Sequence, residues 1–296
     1  MQKYIQRWEA LPGNARGSLI VLVASLLSVL MSSLIKHVGQ TIPVIEILFI
    51  RQILVLIIIS PVIFRNLDTV FKTNIYGMHF LRASLSIVAM YTGFSAVVNM
   101  PLAEVTAISF ARILFTTILA IIFLKEVIGI RRWTSIIIGF VGVLVIIRPD
   151  PDNINIYALM AIVSALFVSG IQIILRKLSQ IDKASTILAF HSLSITLVMA
   201  VPAYFLWVTP NFHEMIFIVM IGSLMSLMQW LFIKALKVGE AAAIAPMEYV
   251  RLLYAGVIGL IFFAEIPTAW TLAGAGIIVA STLYTMHRNT VKAPPK

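Results

Sequence analysis

Glu248 and Arg251 stand three residues apart inside "AAAIAPMEYVRLLYAGVIGLIFFAE", an otherwise apolar run. At that spacing on one helix they share a face and can pair with each other. Pro246, just before them, removes a backbone donor and can open the helix where the charges sit. Arg51, Arg82 and Arg112 lie in apolar stretches as well. A central arginine costs a membrane helix about 2.5–3.5 kcal/mol, so four facing lipid would cost about 10–14 kcal/mol. They are expected to face protein, water or a bound molecule, or to reach the interface. A guanidinium there recognises carboxylate or phosphate oxygens, and a carboxylate counters a cation or carries a proton.

The four arginines differ in setting. Arg82 lies a couple of turns from the end of its apolar stretch, close enough to snorkel. Arg51 follows Glu46 by five residues, which is off the ideal pairing position. Arg112, in "SFARILF", has no acidic residue within four positions, and Glu104 is two turns away. Arg112 therefore needs a partner from another segment and is the strongest single candidate. Tyr91, Trp230 with Gln229 before it, and Tyr249 beside the charged pair are candidate pocket walls, with core packing and an interfacial belt as the competing reading. If protons are exchanged, Glu248, Glu104 and Glu46 are the candidate carriers, Glu248 first.

Other chemistries are missing. The chain has no cysteine, and its five histidines form no HExxH. It has no GxSxG and no pair of aspartates within an apolar span. No catalytic residue, metal site or cofactor is expected.

The elements that must position these residues are helices in a bilayer. The 296 residues are 60% hydrophobic and 11% charged, with mean hydropathy +1.02, whereas soluble domains average about 25% charged. Hydropathy and turn residues predict ten spans, near 17–36, 43–64, 75–98, 101–123, 133–148, 156–175, 184–207, 214–236, 243–264 and 269–286. The first run lacks a small-residue cleavage site and reads as a retained helix. The fifth span is short, so it is either extended by its flanks or set where the bilayer is thin. Of 22 lysines and arginines, 16 fall on one face, Lys36 and Arg148 fall on the other, and four lie within spans. The positive-inside rule then places both termini on the cytoplasmic side. It also accounts for the net charge of +10 without nucleic-acid binding.

The chain repeats itself after about 140 residues. Lys36 and Pro61 recur as Lys177 and Pro202, and Ala96, Arg112 and Glu126 recur as Ala235, Arg251 and Glu265. Tyr91 falls on Trp230. With five spans per copy the second copy is inverted, so Arg112 and Arg251 approach an in-plane axis from opposite halves. The expected division is a tail at 1–16, repeats at 17–149 and 150–287, and a tail at 288–296. Glu126 and Glu265 read as turn residues. Gly139 with Gly142, Gly256 with Gly259, and "GAG" at 274–276 permit close packing, internal or in a dimer.

"FLKEVIGIRRWTSIIIGFVGVLVIIRP" (123–149), its counterpart "APMEYVRLLYAGVIGLIFFAEIPTAWTLAGAGIIVAS" (245–281), "HFLRAS" (79–84) and "RW" (132–133) resemble the drug/metabolite transporter superfamily. The resemblance is to its ten-helix bacterial branch of two EamA-type domains, including the S-adenosylmethionine and riboflavin groups. It implies an all-α integral membrane fold of two inverted five-helix repeats, a secondary carrier with a central cavity, and fifth and tenth helices standing away from that cavity. The expected function is alternating-access movement of a small anionic or zwitterionic metabolite. Arg112, Arg251, Glu248, Arg51, Arg82, Tyr91, Gln229, Trp230 and Tyr249 are the candidate binding residues. Export of cationic drugs is the alternative, with a channel or intramembrane enzyme more remote. The expected partners are the metabolite and the bilayer, with the chain a monomer or a homodimer.

Overall fold

A computed structural model describes residues 11–65, 70–124, 130–148, 155–238 and 245–291. The helices are α1 (Gly13–Val38), α2 (Val44–Arg65), α3 (Tyr76–Asn99), α4 (Leu102–Ser109), α5 (Ala111–Leu124), α6 (Ile130–Ile147), α7 (Ile156–Leu178), α8 (Ala184–Phe205), α9 (Phe212–Val238), α10 (Val250–Phe263) and α11 (Ala269–Val291). A 3-10 turn, Ala245–Tyr249, leads into α10. The predicted 101–123 span corresponds to α4 plus α5, and the 243–264 span to the 3-10 turn plus α10. The other eight predicted spans each match one helix. The short fifth span is extended by its N-terminal flank, α6 starting at Ile130. Among the described residues no strand is present. Seven segments are long and apolar enough to cross a membrane, joined by shorter apolar stretches at Ile136–Ile147 and Ala269–Ser281. Apolar side chains such as Ile57, Phe64, Phe123, Tyr204 and Phe262 are exposed, as lipid-facing helices require.

Turn chemistry starts the helices where expected. Asn155 Oδ1 accepts from the Tyr157 and Ala158 amides at 3.0 and 3.3 Å, which caps α7. Pro43 and Pro101 precede α2 and α4, where a missing N–H costs nothing. Pro61 and Pro202 both fall near the ends of their helices, α2 and α8, and they are repeat equivalents.

The packing partners reveal the relation between the halves. The helix α1 packs on α9, α3 on α7, α2 on α8 and α6 on α11. Exchanging first-repeat spans for second-repeat spans turns the first of these pairings into the second. The other two map onto themselves. That pattern is a pseudo-two-fold, with α2–α8 and α6–α11 on the axis. The chain is an all-α membrane protein of two five-span repeats, and an odd span count inverts the second.

Two polar anchors tie the faces together. Lys36 is buried, pairs with Glu265 and donates to the Met100 carbonyl at 2.6 Å. Glu265 also accepts from the Leu102 amide at 2.8 Å, supplying an acceptor to the start of α4. The turn role expected of Glu265 thus extends to the opposite repeat, and Glu126 lies outside the described residues. On the other face His79 Nε2 and Asp182 Oδ2 are 2.7 Å apart, and Asp182 also accepts from Thr73.

Candidate functional site

The fourth and ninth spans are each interrupted, and at equivalent places. Phe110 separates α4 from α5, while Tyr249 ends the 3-10 turn before α10. The two residues are related by the same 139-residue shift as Arg112 and Arg251. They meet directly, with ring centroids 4.9 Å apart. Each interruption is followed by its arginine, and each arginine reaches into the opposite repeat. Arg112 Nη2 donates to Glu248 Oε2 at 2.8 Å, and Arg251 Nη2 donates to Ser109 Oγ at 3.0 Å. Ser109 and Glu248 are themselves repeat equivalents. The crossing is therefore symmetric in position and asymmetric in charge, with one carboxylate for two guanidinium groups.

The expected i,i+3 pair of Glu248 with Arg251 is replaced by this cross-repeat pair. Glu248 sits in the narrower 3-10 turn and Arg251 in the first turn of an α-helix, so the spacing of a continuous α-helix does not apply. Arg251 is held over the Phe110 ring, 5.1 Å from its centroid.

A cavity of about 520 Å³ lies beside the crossing. Its walls come from α1, α2, α3, α4, α5, α7, α8, α9 and α10, and among the described residues none that lines it belongs to α6 or α11. All four membrane arginines line it. Arg82 does not snorkel. It is buried and donates from Nη1 to the Ile187 carbonyl on α8 at 3.2 Å. Ser86, one turn on, donates its hydroxyl to the Arg82 carbonyl at 2.8 Å. Arg51 is 2% exposed. It points at the thioethers of Met225 and Met90, at 2.9 and 3.3 Å, and at Gln52 Oε1 at 3.3 Å, over the Phe94 ring.

The remaining candidates divide. Tyr249 is buried against Phe110 in the core. Tyr91 and Trp230 are 38% and 56% exposed and do not line the cavity, whereas Met90 and Met228 do. One or two residues turn a helix by about 100° or 200°, which is enough to send these rings outward. Trp230 instead lies under the Lys234 ammonium. The Gln229 side chain lies outside the described residues. Glu46 is fully buried and accepts from the Val208 amide at 2.9 Å, and Glu104 accepts from Thr271 on α11 at 3.2 Å. Of the three candidate proton carriers only Glu248 meets the cavity arginines. His191 on α8 also lines the cavity. No motif marked it, since a single histidine in an apolar stretch carries no spacing signal. Met90, Met225 and Met228, which also line the cavity, carry no spacing signal either.

Two inverted halves, a cavity between them lined by four arginines and interrupted helices crossing beside it are the construction of a membrane carrier. The chain belongs to the EamA-like transporter family, whose model matches it twice, over residues 15–148 and 155–286. An "S-adenosylmethionine uptake transporter" of Rickettsia bellii is 32% identical over 271 residues, covering 91% of each chain. A "Riboflavin transporter" of Brucella anthropi is 25% identical over 84% of this chain and 90% of its own. A "Pseudopaline exporter" of Pseudomonas aeruginosa is 24% identical over 90% of this chain and 94% of its own.

Proposed function

We propose that the chain is a secondary carrier that moves a small anionic or zwitterionic metabolite across a bacterial inner membrane by alternating access, with both termini cytoplasmic. The observation that carries this reading is the convergence of Arg51, Arg82, Arg112 and Arg251 on one cavity between the repeats. Arg112 and Arg251 receive an anionic group of the substrate, and Glu248 holds Arg112 when the site is empty or meets a substrate ammonium. Names of relatives support small metabolites, and they include an uptake transporter and an exporter. A cationic drug is disfavoured by four arginines around the cavity.

Thermal melting in detergent against a metabolite panel tests the reading, followed by counterflow of the hits in proteoliposomes. A ligand at 100 times its Kd adds about 2.7 kcal/mol. The expected result is a carboxylate-bearing or phosphate-bearing hit that is carried by the native protein and lost in Arg112→Ala. Stabilisation by cations alone would move the site to Glu248 and make drug export the better reading.

A further inference from the structure

The four cavity arginines do not share one environment. Arg112 has Glu248 and Arg251 has Ser109. Arg51 and Arg82, from α2 and α3, are 2% and 7% exposed, and among the described residues neither forms an ion pair. The nearest acceptors of Arg51 include two thioether sulfurs, which are weak acceptors. Among the described residues the Nε–H of both arginines has no hydrogen-bond partner. His191 faces the same space from α8, its buried Nδ1 also without a partner. It lies within electrostatic reach of both arginines. An unpaired buried charge is strongly unfavourable unless something compensates it. Planar guanidinium groups suit carboxylate and phosphate oxygens.

We propose that Arg51, Arg82 and His191 form an anion subsite on the α2–α3–α8 side of the cavity, and that the carried metabolite is a net anion docking a carboxylate or phosphate there. This rests on the carrier reading above and narrows its substrate class. Among the described residues, four arginines against one carboxylate leave the site three positive charges in excess. A neutral molecule such as riboflavin, or a net cation such as S-adenosylmethionine, leaves that excess uncompensated. A molecule with two or three negative charges cancels most of it. The Arg112–Glu248–Arg251 end presents both signs and accommodates a neutral or zwitterionic portion. Between the ends, Met90, Met225 and Phe94 give a soft, polarisable wall for a ring or alkyl body.

The test is thermal melting of the full chain in detergent at constant ionic strength. The probes are inorganic phosphate, succinate, riboflavin monophosphate, riboflavin and S-adenosylmethionine. The proteins are the native chain, Arg51→Met, Arg82→Met and Arg65→Gln, the last an exposed residue at the end of α2. At least one anion is expected to raise the melting temperature above a matched chloride control, with riboflavin monophosphate acting more strongly than riboflavin. That rise disappears in Arg51→Met and Arg82→Met and persists in Arg65→Gln. Without any probe, Arg51→Met melts at or above the native temperature, because it removes an uncompensated charge; a structural arginine would give a lower one. A shift that survives in both methionine variants, or anions that give none, overturns the subsite. Counterflow in proteoliposomes separates the two readings. Carriage of riboflavin or S-adenosylmethionine with inert anions sinks the subsite alone, and carriage of none of the five sinks the carrier reading with it.

Discussion

Arg112 lacks a partner on its own helix, and its carboxylate comes from the other repeat. The sequence makes the need for a partner visible, because no acidic residue lies within four positions. It leaves the partner's identity open, because Glu248 is nearest in sequence to Arg251. Only the interruptions at Phe110 and Tyr249 bring Glu248 across to Arg112 at 2.8 Å. The side chains of this pair are 26% and 23% exposed, so water screens it more than a fully buried pair. Glu248→Gln leaves Arg112 and Arg251 together without a counter-charge. It is expected to destabilise the protein by about 1–2 kcal/mol, less than the roughly 3–5 kcal/mol of a dry broken pair. The double variant Arg112→Met, Glu248→Met should recover more than half of that loss, which a melting-based double-mutant cycle measures. Equal melting of Glu248→Gln and the native chain would mean that the pair is held only loosely. The aromatics show the opposite limit. The repeat shift aligns Tyr91 with Trp230, yet it does not say which side of the helix they occupy, and both face away from the cavity.

The helices themselves were legible. Ten apolar runs and their bounding prolines match the described elements to within a few residues. The break inside the fourth span was not legible, because "AISFARIL" contains no proline or glycine. Pro246 marks only the ninth. Glycine spacing announced close approach and left its location open between the interior and a dimer. For Gly142 and Gly274 the structure places it between α6 and α11. A Cβ on Gly274 would stand 2.5 Å from the Gly142 carbonyl oxygen, and one on Gly142 would stand 2.8 Å from that of Gly274. Backbone atoms cannot rotate away, so the helices must separate. Gly274→Val is expected to cost about 1–3 kcal/mol, the usual range for overpacking, and to lower the melting temperature. No described residue of α6 or α11 lines the cavity, so the apparent affinity in transport should stay unchanged. A variant that melted normally and bound substrate poorly would mean that this helix pair takes part in the site.

At the scale of the whole molecule, the pseudo-two-fold makes each contact between the repeats half of a potential exchange. Lys36 of the first repeat holds Glu265 of the second, and Glu265 holds the start of α4. Beneath them Val29, Leu102, Ala255 and Ile258 pack α1, α4 and α10 together. The neighbouring residues Ile35 and Leu102 line the cavity, so this clamp sits where that face would have to part for the site to open toward it. The repeat places Lys177 and Glu126 at the equivalent positions, of which Glu126 lies outside the described residues. The alternating access proposed above requires the Lys36 clamp to release in one state, and a polar pair does so at smaller cost than a wholly apolar seam once water enters. The chain has no native cysteine, so Ser32→Cys, in the cavity wall, gives a reporter without background. Membrane-impermeant maleimide applied from the Lys36 face should label it slowly in the otherwise native chain. Adding Lys36→Gln or Glu265→Gln should speed labelling at least about tenfold, which corresponds to about 1.4 kcal/mol of shifted equilibrium. An unchanged rate with a lowered melting temperature would make the pair a fixed brace and place the moving contacts elsewhere in the bundle.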